Sequence, residues 1–153
     1  MASFRGTYSC KLDAKGRITL PAQYRRLIAD AEKGAFVIQL GEYDRVLQLY
    51  TDSAFQEVEQ EMLPRFDHSR EGVAARRDFY RTVENLQIDS SDRLLIPRDR
   101  LNDIGAKGEL TLLGMGSYIE VWAAEEFSVC YGKESRAAAS DQKLDGEKIE
   151  GEE

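Results

Sequence analysis

Apolar residues recur along the chain with the periods of short strands and short helices. The first elements that this pattern predicts are a strand ending at Leu12, a tight turn over residues 13–16 and a returning strand from Arg17 to Leu20. Asp13 and Gly16 stand at the first and fourth positions of the turn, as a type I turn with a left-handed glycine requires. The opening segment is therefore predicted to be a hairpin.

A short helix and a second hairpin are predicted next. Pro21 suits the first turn of a helix, which leaves Arg25 and Arg26 outward. Its predicted apolar stripe, at i, i+3 and i+4 spacing, consists of Tyr24, Leu27 and Ile28. Two apolar runs, residues 36–40 and 45–50, surround a turn-rich cluster and predict the second hairpin.

Two helices are predicted between this segment and the second half of the chain. Residues 51–53 offer N-cap side chains for a helix that carries Phe55, Val58 and Met62 and ends at Pro64. Another helix is predicted from about Ser69 to Tyr80.

The chain contains an internal repeat with an offset of 76 residues. Residues 12–21 align without gaps on residues 88–97, and the Asp, the Arg, the Pro and the apolar pattern coincide. The match continues on both sides, so each copy is a complete unit of strands and helix. We assign residues 4–52 to the first copy, 53–79 to a helical connector and 80–127 to the second copy.

A lone pair of hairpins is only marginally stable in water. The two copies are therefore expected to interlock their strands into one barrel-like core, so that the chain behaves as a covalent pseudo-dimer. The fold class that follows is α+β, with flanking helices.

The charge is distributed unevenly along the 153 residues, whose net charge is −7. Residues 1–28 carry six cations and one anion, a net charge of +5, which predicts a basic face. Residues 133–153 carry four cations and seven anions and almost no large apolar side chain. This acidic tail is predicted to be disordered.

Composition argues against several classes of function. Cys10 and Cys130 are far apart in apolar surroundings and are expected to be buried thiols, and His68, the single histidine, is expected to be solvated at the start of a helix. No metal site, cofactor, catalytic group or small-molecule substrate is indicated. No apolar stretch is long enough to cross a membrane, so a cytoplasmic location is expected.

The chain resembles the MraZ family. The resemblance rests on the motif Asp-x-x-x-Arg followed by four residues ending in Pro, present twice and preceded by Phe4-Arg5-Gly6, and it covers residues 4 to 127. It implies two AbrB-like swapped-hairpin modules, a homo-oligomeric ring, and binding to direct repeats near the protein's own promoter. The division and cell-wall gene cluster is the implied target, and a nucleoid association follows.

The residues themselves also favour double-stranded DNA as the partner. A hairpin tip carrying Lys15 and Arg17 can enter a major groove, where an arginine offers a fork of donors to phosphates or guanine edges. The candidate DNA-binding residues are those of this tip and its neighbouring cations: Arg17, Lys15, Arg5, Gly16, Asp13 and Arg25. The alternative is that Asp13 and Arg17 only pair with each other and steady the turn.

The second copy is predicted to bind DNA less well than the first. Asp92 replaces Gly16, and residues 88–104 carry three cations and four anions, a net charge of −1. Arg93 is expected to be engaged by Asp89 and Asp92, whereas Arg17 is expected to be free.

Two other functions stay open at this point. An antitoxin-like module could use its acidic tail to block a toxin, and an architectural ring could organise other proteins. An enzyme is not indicated, because no phosphate loop, metal spacing or nucleophile with a base partner is found.

Overall fold

A computed structural model describes residues 3–28 and 34–132 and the backbone of Arg136–Ala137. The strands in these residues are β1 Thr7–Lys11, β2 Arg17–Thr19, β3 Phe36–Leu40, β4 Val46–Thr51, β5 Glu84–Leu86, β6 Arg93–Leu95, β7 Glu109–Gly114, β8 Ile119–Ala123 and β9 Arg136–Ala137. The helices are α1 Ala22–Arg25, α2 Asp52–Met62, α3 Arg70–Tyr80, α4 Arg98–Asp103 and α5 Ala124–Tyr131. The prediction of an α+β fold is confirmed.

The two copies share one large sheet and one small ribbon. The sheet has the order β5-β3-β4-β8-β7-β1-β9, and its strand pairs are antiparallel except for β1 with β9. A separate two-stranded ribbon joins β2 to β6. The pairs β1–β7, β3–β5, β4–β8 and β2–β6 each join a strand of the first copy to one of the second. The interlocking of the copies follows from these four pairings.

The prediction that β1 and β2 form a hairpin is wrong. The turn is present, since the Asp13 N–H donates to the Arg17 carbonyl, but the strands then separate into different sheets. Tyr8 of β1 pairs with Leu112 of β7, and Ile18 of β2 pairs with Leu94 of β6. Each strand completes its hydrogen bonds with a strand of the other copy. The second predicted hairpin is confirmed, because β3 pairs with β4.

The main core lies between the large sheet and the ribbon. Ile18 and Leu94 of the ribbon pack into one buried cluster with side chains of β4, β7 and β8. Four aromatic residues of the first copy are buried, namely Phe4, Tyr8, Tyr24 and Tyr50. Leu27 is 42% exposed, contrary to the predicted stripe, because α1 ends at Arg25 and a turn follows.

Both predicted connector helices are confirmed, and their caps are satisfied. The Thr51 side chain accepts from the Ala54 N–H at the start of α2, and the Ser69 side chain accepts from the Gly72 N–H at the start of α3. These helices cover a second apolar cluster that includes Tyr50 and is separate from the main core. Alternate residues of β3 and β4 therefore face the two clusters, as strand geometry requires.

Cys130 is exposed, so the prediction that both thiols are buried is wrong for this residue and confirmed for Cys10. The end of α5 presents its apolar residues to solvent, since Val129 is 81% exposed. His68 is exposed just before α3, as expected. The predicted disordered tail lies outside the described residues except for Arg136–Ala137, which pairs with β1.

Candidate nucleic-acid interface

The loop between β1 and β2 is built around the carboxylate of Asp13. Its Oδ1 accepts the backbone N–H groups of Lys15 and Arg17, each at 2.9 Å. Its Oδ2 lies 2.7 Å from Nε of Arg17. The Gly16 N–H donates to the Asp13 carbonyl, and Gly16 adopts a φ of 87°, as predicted for the left-handed position of the turn. One carboxylate thus closes the turn and binds the arginine.

The loop before β6 repeats this arrangement. Oδ1 of Asp89 accepts the N–H groups of Ser91 and Arg93 at 2.8 and 3.0 Å, and Oδ2 lies 3.0 Å from Nε of Arg93. Asp92 has a φ of 63°, a left-handed conformation that Asp tolerates better than most residues. The two loops therefore have the same backbone and the same Asp–Arg clamp.

The predicted contrast between a free Arg17 and an engaged Arg93 is wrong. Each arginine is clamped by one aspartate through Nε. The Asp92 carboxylate binds Arg25 of the first copy instead, with Nη1 to Oδ2 at 3.3 Å. The Asp92 side chain is therefore paired with a residue of the other copy, and it makes no ion pair with Arg93. Nη1 and Nη2 of Arg17 hydrogen-bond to no residue that the structure describes.

The two loops flank the ribbon of β2 and β6. The Gly16 carbonyl accepts the Ile96 N–H, and the Asp92 carbonyl accepts the Leu20 N–H, so the hydrogen-bonded ladder extends to both loops. Gly16 and Asp92 are thus four residues apart along the ribbon. At ~3.3 Å per residue, this spacing corresponds to roughly 13 Å.

The side chains on the two loops differ in charge. The first loop presents exposed Lys15 beside Arg17, whose side chain is 26% exposed. The second presents Ser90, Ser91 and Asp92, all exposed, beside Arg93. The two loops therefore have similar backbones, but the side chains of the first loop are the more cationic.

Hydrogen bonds keep the clamping carboxylates ionised. The Arg17 backbone N–H, aided by the Arg17 guanidinium and the Lys15 N–H, lowers the pKa of Asp13 from 3.8 to about 2. The Arg93 backbone N–H likewise lowers the pKa of Asp89. Both ion pairs are consequently complete at neutral pH.

Four of the six candidate residues lie together in the first loop: Asp13, Lys15, Gly16 and Arg17. Arg25 lies at the second loop through its contact with Asp92. Arg5 is exposed and lines an open groove of about 800 Å³ with Arg26 and residues of α2. No residue of either loop lines that groove.

Asp89 and Arg93 form the equivalent clamp but are not among the six predicted site residues. The repeated Asp-x-x-x-Arg spacing is the sequence signal that points to them. The contact between Arg25 and Asp92 was not predicted, since these residues lie 67 positions apart and on different copies.

In the described part of the chain, no three or more His, Cys, Asp or Glu side chains are grouped so as to hold a metal ion. None of the helices in residues 3–28 and 34–132 combines the length and the apolar character that crossing a membrane requires.

Comparison with known proteins identifies the family. The model of the MraZ protein family, whose description relates these proteins to antitoxins, matches the chain twice, over residues 3–76 and 79–146. The two matches confirm the internal repeat. They also cover both loops of the candidate interface.

Relatives named transcriptional regulator MraZ are similar over most of the chain. One from Saccharophagus degradans is 32% identical over 124 residues, which cover 80% of this chain and 83% of the relative. One from Cytophaga hutchinsonii is 30% identical over 125 residues, 82% of each chain. One from Alcanivorax borkumensis is 29% identical over 125 residues, 82% of this chain and 86% of the relative. On both grounds, this chain belongs to the MraZ family.

Proposed function

We propose that this chain is a transcription regulator that binds double-stranded DNA sequence-specifically and has no enzymatic activity. The observation that carries the proposal is the first loop, where Asp13 holds Arg17 by Nε beside the exposed Lys15. Nη1 and Nη2 of Arg17 are then available for a bidentate contact with a guanine edge or a phosphate. Lys15 supplies a point charge for the backbone.

The dimensions of the ribbon suit a major groove. The loops are roughly 13 Å apart at ~3.3 Å per residue, and the major groove of B-DNA is about 12 Å wide. Both loops can therefore approach one groove from the same ribbon. The name that the relatives carry, transcriptional regulator, agrees with such a partner.

We extend the proposal to assembly and target. The pairing of β2 with β6 supports a swapped-hairpin barrel of the AbrB type. A homo-oligomeric ring of such subunits would bind direct repeats near the promoter of the division and cell-wall gene cluster, in the cytoplasm and on the nucleoid. Several weak basic tips on one ring would gain affinity through effective concentration.

Fluorescence anisotropy with the duplex upstream of the gene encoding this chain tests the proposal. We expect tighter binding to this duplex than to a mixed-sequence duplex of equal length, and a steep loss of affinity with salt. Arg17→Ala should remove most of the difference between the duplexes. Equal affinity for both duplexes in the unmodified protein would contradict sequence-specific recognition.

The description of the family as antitoxin-like favours a second candidate function, neutralisation of a toxin protein. This function requires a protein partner that binds stoichiometrically. Copurification of a small basic protein, together with absence of DNA binding, would favour it over the first proposal.

A further inference from the structure

One pair of neighbouring positions carries different side chains in the two copies of the repeat. Gly16 corresponds to Asp92 and Arg25 to Leu101 at the offset of 76. At the first loop, a Cβ on Gly16 would lie 3.5 Å from Cδ1 of Leu101. At the second loop, Nη1 of Arg25 lies 3.3 Å from Oδ2 of Asp92. A glycine beside an apolar side chain at one tip therefore corresponds to an ion pair at the other.

The carboxylate of Asp92 is not needed to form its loop. Asp89 accepts the backbone N–H groups of that turn, while the only hydrogen bond that the Asp92 carboxylate accepts from a described residue comes from Arg25. Gly16 adopts nearly the same backbone conformation without any side chain, with φ values of 87° and 63° at the two positions. The charge of Asp92 can therefore be removed without removing the turn.

We infer that Asp92 limits the DNA affinity of the second loop by neutralising Arg25. The inference rests on the proposed DNA-binding function. The pair is accessible, with side-chain exposures of 30% for Arg25 and 53% for Asp92, so a phosphate that approaches this loop meets both groups. The phosphate is repelled by the carboxylate and gains little from a guanidinium that is already paired. Arg25 becomes a phosphate contact when the Asp92 charge is absent.

Asp92→Asn and Asp92→Gly test this role with the full-length protein and a mixed-sequence duplex. Asn favours the left-handed backbone and keeps the shape of Asp, and Gly stands at the equivalent position of the first loop. Both variants should bind more tightly than the unmodified protein. One added phosphate contact steepens the salt dependence by ~0.9 in log affinity per log salt, so the gain should be about 3.5-fold larger at 50 mM than at 200 mM salt.

Arg25→Leu provides the matched control, because Leu101 occupies the equivalent position. Placed on Asp92→Asn, it should abolish the added salt dependence, while thermal melting reports folding for every variant. If the unmodified protein binds no duplex, the proposed function itself fails. If it binds and Asp92→Asn neither tightens nor steepens binding, or if the gain survives Arg25→Leu, the role assigned to Asp92 is overturned.

Discussion

Nε of Arg17 lies 2.7 Å from Oδ2 of Asp13, while Oδ1 of the same carboxylate accepts two backbone N–H groups of the turn. The turn and the arginine are therefore fixed by one group. A guanidinium held at Nε keeps a defined direction for Nη1 and Nη2, which reduces the side-chain freedom lost on binding. Asp13 thus acts as a positioning residue for Arg17.

Asp13→Asn should weaken sequence-specific binding although it removes a negative charge. The amide oxygen can still accept the backbone N–H groups, but the ion pair with Arg17 is lost. We expect about a tenfold loss of affinity for the upstream duplex, which is the size of the loss expected when one bidentate contact with a base is misplaced. Affinity for a mixed-sequence duplex should stay equal or rise, because the variant has one negative charge less near the DNA and non-specific binding is driven by electrostatic attraction and counterion release.

Asp89→Asn is the matched control for this substitution, because the second loop has the same clamp and a less cationic tip. Its effect on the upstream duplex should be smaller. Equal losses for the two variants would mean that Arg17 and Arg93 contribute equally to DNA binding.

Arg17→Ala and Arg93→Ala should lower the melting temperature by similar small amounts. Each removes one partly exposed ion pair of the same geometry, and such pairs contribute little to stability. Their effects on DNA affinity should differ, with the larger loss for Arg17→Ala, because Lys15 lies beside it. Melting curves and binding isotherms of the two variants check both statements. A large destabilisation by Arg93→Ala alone would contradict the equivalence of the clamps.

The loops should stay clamped to low pH. The pKa of Asp13 in the folded protein is about 2, below its ordinary value of 3.8, and that of Asp89 is also lowered. A carboxyl with a depressed folded pKa adds stability above its unfolded pKa, and this contribution is lost as the pH falls from about 3.8 towards 2. Carboxyl NMR titration should place the Asp13 midpoint near the lower value. A midpoint near 3.8 would show that the clamp does not form in solution.

Local chemistry explains which elements the sequence could predict. The Asp13 turn, the left-handed Gly16 and the Thr51 cap depend on contacts within a few residues, and all are present. The internal repeat was also accessible, because it is a property of the sequence. These features do not depend on how the two copies meet.

Tertiary pairing explains the errors. The apolar pattern of β1 is the same whichever strand lies beside it, and so the pairing of Tyr8 with Leu112 could not be read from it. Proximity in sequence suggested Arg93 as the partner of Asp92, yet the interlocked copies place Arg25 there. Burial of Cys130 was inferred from apolar neighbours that α5 exposes to solvent.

The first copy should not fold by itself as a monomer. In the whole chain β1 pairs with β7, β2 with β6, β3 with β5 and β4 with β8, so a fragment of residues 1–79 lacks these second-copy partners and keeps the pair of β3 with β4. Ile18 and Leu47, which are at most 1% exposed, would lose much of the surface that buries them.

We expect no cooperative melt of this fragment as a monomer. A cooperative melt should return when a fragment of residues 80–153 is added. A dimer that folds only at high concentration would agree, since a second fragment can supply equivalent strands. Circular dichroism melts combined with light scattering make the test, and a cooperative melt of a strictly monomeric fragment would show that the copies do not depend on each other.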